Sequence, residues 1–376
     1  MIKSLLAHLE KRITDISGKD YSPAPLSFEQ VLVFCSRIYQ VVTKLRLWGY
    51  EKKIIKQQNL PCLVISIGNI TAGGAGKTPM AVYLAETLME MGYRPAVLSR
   101  GYKGRLDKYS AGIAGDGEQV LMDAETAGDE PFMMAGRKRF PVIVGRNRYL
   151  AGQLALERLD VDVFILDDGF QHMALARDLN LVLFDHDRPL GNGRMLPAGR
   201  LRETPGMSAG RTHGVILTRC PDGSQGDPEP KAPLHGVYRG TPLFRTCHKP
   251  FLLNFFSGTN SGVRPGCLGK LKNKKAVLFS GIAKNRAFRE TVTEFGVKVL
   301  KHLEFMDHYR YKRADFLKIR NQATESGAEL ILTTEKDWVK MDRTFAWKTD
   351  LAVIGIRIEF ENPGAFNRFL KSKLNT

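Results

Sequence analysis

Residues 68–79, Gly-Asn-Ile-Thr-Ala-Gly-Gly-Ala-Gly-Lys-Thr-Pro, constrain this chain more than any other segment. They follow the apolar run Leu63-Val64-Ile65-Ser66-Ile67 and precede Met80, Leu84, Leu88 and Met91 at helical spacing, so the loop joins a strand to a helix. In such a loop the backbone N–H groups of Thr71, Ala72, Gly73, Gly74, Ala75 and Gly76 point inward at an anion. Lys77 reaches the outer phosphates of a polyphosphate, and the Thr78 hydroxyl ligates Mg²⁺. The strict P-loop pattern has glycine where this chain has Thr71. A bare strand-to-helix turn has no use for Lys-Thr at the helix start, and the segment reads as a phosphate cradle.

Strand-like runs at residues 96–99, 141–144, 161–166, 179–184 and 215–218 alternate with helical stretches near 77–91, 128–136 and 147–158. That order predicts an α/β, P-loop NTPase-like fold with a mostly parallel sheet flanked by helices. Residues 221–235, dense in Pro, Gly and charge, mark an exposed boundary. Beyond it a second alternation follows, with strands near 275–280, 297–300, 329–333 and 351–357 and a last helix near 362–372. The expected organisation is therefore an N-terminal amphipathic segment (1–56), a P-loop core (57–220) and a smaller α/β domain (221–376) closing over the active-site cleft. With 376 residues, 43% of them hydrophobic, both domains have ample core.

The net charge of +17 points to an anionic partner: nucleic acid, a membrane surface or a phosphorylated substrate. In the N-terminal segment Val31, Phe34, Ile38, Val41, Leu45 and Trp48 recur at helical spacing, with Arg37, Lys44, Arg46, Lys52, Lys53 and Lys56 beside or just after them. This pattern suits a helix lying on an anionic interface, and equally a core-packing helix with a solvated basic face. No run reaches the ~18 apolar residues that a spanning helix needs. Residues 1–12 lack a long apolar stretch and a small-residue cleavage site, so no signal peptide is expected. The five cysteines are scattered without C-x-x-C spacing, which favours a reducing cytoplasm over a disulfide or zinc framework.

A second chemical constellation ends a strand, where residues 161–166 run into Asp167-Asp168-Gly169-Phe170-Gln171-His172. An apolar strand ending in Asp is the usual Mg²⁺ partner of a P-loop. Successive strand side chains face opposite ways, so Asp167 and Asp168 share one ion only if the backbone turns between them.

Together these motifs resemble the tetraacyldisaccharide 4′-kinase family of lipid A biosynthesis. The matching stretches are residues 66–78, Ser99-Arg100-Gly101-Tyr102, Gly128-Asp129-Glu130-Pro131, Arg146-Asn147-Arg148-Tyr149, residues 167–172, residues 196–203, Asp307-His308-Tyr309 and Thr334-Glu335-Lys336-Asp337. Thr71 fits this family's variant P-loop. The resemblance implies ATP- and Mg²⁺-dependent phosphorylation of a hydroxyl on an acylated glucosamine disaccharide 1-phosphate. It places the enzyme peripherally at the cytoplasmic face of the bacterial inner membrane. It also implies Asp129 as general base with His308, from the second domain, as its partner. Arg100, Glu130, Arg148, Gln171, His172 and Arg202 fall to substrate and phosphates, and Thr78, Asp167, Asp168 and Glu203 to the metal.

Two other classes compete. A GTPase would carry Asn/Thr-Lys-x-Asp, and Thr334-Glu335-Lys336-Asp337 has Glu where that reader requires Lys. Another P-loop small-molecule kinase or a nucleic-acid-stimulated ATPase would also account for the loop and the charge. The chain shows no helicase motif, zinc pattern or aromatic RNA-binding signature, and no nucleic acid is expected.

Overall fold

The computed structural model describes residues 20–24, 26–107, 109–221, 232–257, 260–264, 268–342 and 344–374, together with Ile13, Ile16 and Ser17. Residues 1–12, most of the 221–235 boundary stretch and Cys267 lie outside them. In chain order the elements are α1 (Phe28–Glu51), β1 (Leu63–Gly68), α2 (Lys77–Glu90), β2 (Pro95–Ser99), β3 (Ala111–Asp116), α3 (Ala124–Ala127), α4 (Asp129–Ala135), β4 (Pro141–Gly145) and α5 (Arg148–Arg158). There follow β5 (Val163–Leu166), β6 (Leu179–Asp185), α6 (Pro205–Ala209), β7 (Gly214–Thr218), α7 (Ala232–Val237), β8 (Leu243–Ser257) and β9 (Asn260–Arg264). The last are β10 (Lys275–Ser280), α8 (Asn285–Glu294), β11 (Lys298–Glu304), α9 (Arg313–Glu325), β12 (Leu330–Thr334), α10 (Glu335–Trp338), β13 (Asp350–Phe360) and α11 (Pro363–Leu374).

Two compact units form. The first comprises Met1–Arg100, Asn147–Cys247 and Glu359–Thr376, and the second Gly101–Arg146 and His248–Ile358. The sequence reading laid its domains end to end with a boundary at 220, whereas here the units interleave along the chain. The reason lies in segment 101–146: β3 and β4 pair antiparallel, α4 packs on both, and α4 also touches α10. That segment thus joins residues from the C-terminal half.

In the first unit β8 (through residues 243–245), β7, β6, β1, β5 and β2 bond in that order, all parallel. The chain leaves β1 for β2 on one side and later crosses from β5 to β6 on the other. The order therefore reverses beside β1, and a ligand crevice opens at the carboxyl ends of such strands. Helix α2 packs on β1, β2 and β5 and α5 on β2. The Ser27 side chain caps α1 by accepting from the Gln30 N–H at 3.2 Å. Leu32, Ser36 and Leu47 of α1 are buried, while Val31, Phe34, Ile38, Val41, Val42, Leu45 and Trp48 are exposed. The Ser36 hydroxyl donates to the Met195 carbonyl at 2.7 Å and accepts from the Ala198 N–H at 3.0 Å, tying the helix to the loop after β6. No helix among the described residues is long and apolar enough to cross a membrane.

In the second unit β11, β10, β12 and β13 form a parallel set. Strand β10 shows why its sequence is apolar throughout. Ala276 and Leu278 pack with Phe288 and Val292 of α8, while Val277 and Phe279 pack with Phe316, Ile319 and Ala323 of α9. Alternate side chains thus fill the two faces, as a strand covered on both sides requires.

Candidate active site

The P-loop leaves the carboxyl end of β1 and enters α2 at Lys77. Thr71 forms an antiparallel bridge with Leu201, Ala72 N–H donates to the Arg200 carbonyl at 2.6 Å, and Arg202 N–H donates to the Ile70 carbonyl at 2.7 Å. Extended backbone at Thr71 accommodates a β-branched side chain, so the usual glycine is not needed there. At Gly76 it is: this residue caps α2 with φ at 79°, a left-handed conformation that glycine adopts without strain. The Thr218 hydroxyl donates to the Ala75 carbonyl at 3.1 Å and fixes the far side of the loop. The start of α2, with its unbonded N–H groups and positive dipole end, thus sits at a clamped glycine-rich turn.

Strand β5 ends beside β1, and there the chain turns. Asp168 has φ at 51°, left-handed for a residue with a side chain. Asp167 is 3% exposed, and its carbonyl accepts from Arg148 at 3.5 Å. The Asp168 carboxylate lies 3.0 Å from Lys77 Nζ and 3.0 and 3.2 Å from Arg202 NH1. Burial pushes the Asp168 carboxyl up, but the Lys77 and Arg202 cations more than offset this and hold it below the usual carboxylate range. Lys77 also donates to Asn69 Oδ1 at 3.2 Å. Gln171 donates to the Asn69 carbonyl at 2.8 Å and accepts from Arg202 at 3.3 Å. Lys77, Asp168, Arg202 and Gln171 therefore form one hydrogen-bonded group, with Asn69 as a member that the sequence reading had not singled out.

A second group lies within the second unit. Asp129 is the first residue of α4, whose N-cap is Gly128, so its side chain does not serve as the cap. Gly128 has φ at 91°, and a Cβ there would stand 2.9 Å from the Tyr102 carbonyl. His308, also left-handed at φ 61°, places Nδ1 at 3.0 Å from Asp129 Oδ2. Burial raises the Asp129 carboxyl, but the His308 hydrogen bond, with Lys340 and Lys336 nearby, outweighs this and holds it below its ordinary value. The sequence reading drew these two residues from different domains, whereas both belong to one compact unit.

The profile of the tetraacyldisaccharide-1-P 4′-kinase family matches residues 28–375. The chain is 41% identical over 330 residues to the tetraacyldisaccharide 4′-kinase of Syntrophus aciditrophicus (strain SB), covering 86% of each chain. It is 40% identical over 349 residues to that of Desulfatibacillum aliphaticivorans, covering 92% of each. A crystal structure of LpxK from Aquifex aeolicus in complex with ATP superimposes with a TM-score of 0.72 at 29% identity, over 93% of this chain and 100% of that one. The chain belongs to the tetraacyldisaccharide-1-P 4′-kinase family.

The remaining residues expected at the site of this kinase lie as follows. Arg148 is 3% exposed at the start of α5, and burial lowers its guanidinium to about 10, while the nearby Asp167 works against that shift. Arg100 is exposed at the end of β2. His172 is pushed down to about 4, by burial first and then by Arg148, Arg177, Arg46 and Arg100. Its Nε2 has no hydrogen-bond partner among the described residues. Thr78 is buried in the first turn of α2. Buried Glu203 accepts from Arg211, whose guanidinium lies 4.3 Å over the Phe170 ring. Glu130 stands 3.9 Å from Lys336. Among the described residues no three His, Cys, Asp or Glu side chains cluster as a ready metal cage.

Sequence reading missed Arg177, which donates to the carbonyls of Gly169, Phe170 and His172 at 3.1 to 3.3 Å and shapes the turn after Asp168. Nothing local marks it, since its role exists only once that turn has formed.

Proposed function

We infer that the chain transfers the γ-phosphate of ATP to the 4′-hydroxyl of a tetraacyldisaccharide 1-phosphate, an acylated glucosamine disaccharide of lipid A biosynthesis. The observation that carries this reading is the clamped P-loop, with Lys77 beside a strand-end carboxylate, in a member of this family. On the donor, the backbone N–H groups of residues 71–76 and the start of α2 hold the phosphates. Lys77 moves from Asp168 to the transferring phosphoryl group, and Arg202 remains to balance Asp168. Thr78, Asp167 and Asp168 would offer Mg²⁺ a hydroxyl and carboxylates, the hard oxygen donors that suit it, and Glu203, which is held by Arg211, is assigned to the ion as well. A bound ion would neutralise negative charge on the phosphates.

On the acceptor, Asp129 takes the hydroxyl proton as that oxygen bonds to the γ-phosphorus; the bond to the bridging oxygen breaks, and ADP leaves with its electron pair. A carboxylate below the ordinary range stays ionised at neutral pH, and His308 orients it. Arg100, Glu130, Arg148, Gln171, His172 and Arg202 are assigned to the substrate and its phosphates. The outward apolar stripe of α1, flanked by Arg37, Lys44 and Arg46, supports peripheral binding to the anionic cytoplasmic face of the inner membrane. Labelled phosphate should pass from ATP to the acylated disaccharide 1-phosphate in mixed micelles. Turnover of ATP only with a different hydroxyl acceptor, or only with DNA or RNA, would replace this reading.

A further inference from the structure

The two ring nitrogens of His308 each meet a hydrogen-bonding partner, and the partner of Nε2 decides the state of Nδ1. Its Nε2 lies 3.2 Å from Lys336 Nζ, while its Nδ1 lies 3.0 Å from Asp129. A lysine ammonium has three donors and no acceptor, so a hydrogen bond between these atoms requires the lone pair of Nε2. The ring proton must then be on Nδ1, facing the carboxylate. Lys336 is itself held in place. Its Nζ is 3.2 Å from Asp307 Oδ1 and 3.9 Å from Glu130 Oε1, and α10 presents it from the residue after Glu335, which pairs with Arg137 at 2.9 Å.

We propose that Lys336 is a positioning residue for the general base: its ammonium keeps His308 as the neutral Nδ1–H tautomer, so that Asp129 always meets a hydrogen-bond donor and never an imidazolium. This rests on the reading of Asp129 as the base. The charged groups around the ring account for why such a device is needed. Asp129 lies 3.0 Å from Nδ1 and Asp307 3.9 Å from Nε2 on the histidine's own loop, while Glu130 faces Lys336 at 3.9 Å. Against them stand Lys336 and, acting on Asp129, Lys340, while the Tyr102 ring lies edge-on to the imidazole at 5.7 Å. With Lys336 gone, the carboxylates would draw a proton onto Nε2. A full positive charge would then face Asp129 and weaken it as a base.

The test uses the full chain. In Lys336→Met, kcat measured against pH should lose activity on the acid side, with that limb moved upward by about one unit or more and recovery at alkaline pH. KM for ATP should stay within about twofold. Lys336→Arg, which restores a cation with donors only, should return the limb toward its original position. Histidine ¹⁵N NMR, with His308→Gln identifying the signal, should show Nδ1 protonated and Nε2 bare near neutral pH, and a doubly protonated ring in Lys336→Met. An unmoved acid limb in Lys336→Met, or an Nε2–H tautomer in the unaltered protein, would overturn the proposal. Asp129→Asn separates the two readings. If it is inactive while Lys336→Met keeps its limb, only the positioning role fails; if it transfers phosphate normally, the base assignment fails first.

Discussion

At the scale of single residues, Lys77 has two partners, and this makes its replacement informative. Arg202 already contacts Asp168 with two short distances, so Lys77→Ala leaves no carboxylate without a cation. The fold should survive, with unchanged circular dichroism, while kcat falls on the order of 10²- to 10³-fold through loss of charge stabilisation in the transition state. Asp129→Ala and His308→Ala should each lower kcat on the order of 10²- to 10⁴-fold. Because the two act through one hydrogen bond, the double variant should be barely worse than the worse single one; multiplicative losses would separate their roles. His172 gives a stability signature. Its folded value near 4 lies below the ordinary 6.5, so the unfolded chain binds a proton that the fold refuses. Stability from this group is complete above about 6.5 and is lost as pH falls toward 4. Melting temperatures of His172→Gln should accordingly fall less steeply over that window than those of the unaltered protein.

At the scale of elements, α1 invites a change to one face at a time. Phe34, Leu45 and Trp48 point outward at 63%, 61% and 51% exposure. Replacing all three with serine should leave the buried face and the melting temperature nearly unchanged and sharply reduce co-sedimentation with anionic vesicles; equal co-sedimentation would remove α1 from membrane binding. Elements whose signal is local were legible in the sequence: β1 and α2 around the glycine loop, and β5 ending at Asp167, each announce themselves within ten or so residues. Strand β3 did not, because Ala111-Gly112-Ile113-Ala114-Gly115-Asp116 has little intrinsic preference for a strand and acquires one by pairing with β4. Strand β8 did not either. It carries Arg245, His248, Lys249 and Pro250 and is mostly half-buried, so neither alternation nor an apolar run marks it. The same limit explains the site. Lys77 and Asp168 each belong to a readable motif, but Lys336 reads as part of Thr-Glu-Lys-Asp and acquires its meaning from a histidine 28 residues away that only the fold brings to it.

At the scale of the whole molecule, the interleaving of the two units forbids a simple division of the chain. A fragment covering residues 221–376 holds β10 to β13 but lacks β3, β4 and α4, which belong to the same compact unit. It should fail to give a dispersed amide NMR spectrum or a cooperative melt, and a fragment that did so would show that segment 101–146 is dispensable to the unit. The bond from Ser36 has a practical sequel. The exposed stripe of α1 makes the helix an obvious part to remove. Yet the same helix, through one hydroxyl, holds Met195 and Ala198, and the strand-like stretch just beyond them braces the phosphate loop through Arg200, Leu201 and Arg202. Cutting the chain after residue 56 would remove the outward stripe and the brace together, so a loss of turnover in the trimmed protein would not by itself report on membranes. Repainting the outer face of α1 while leaving Ser36 in place keeps the two effects apart.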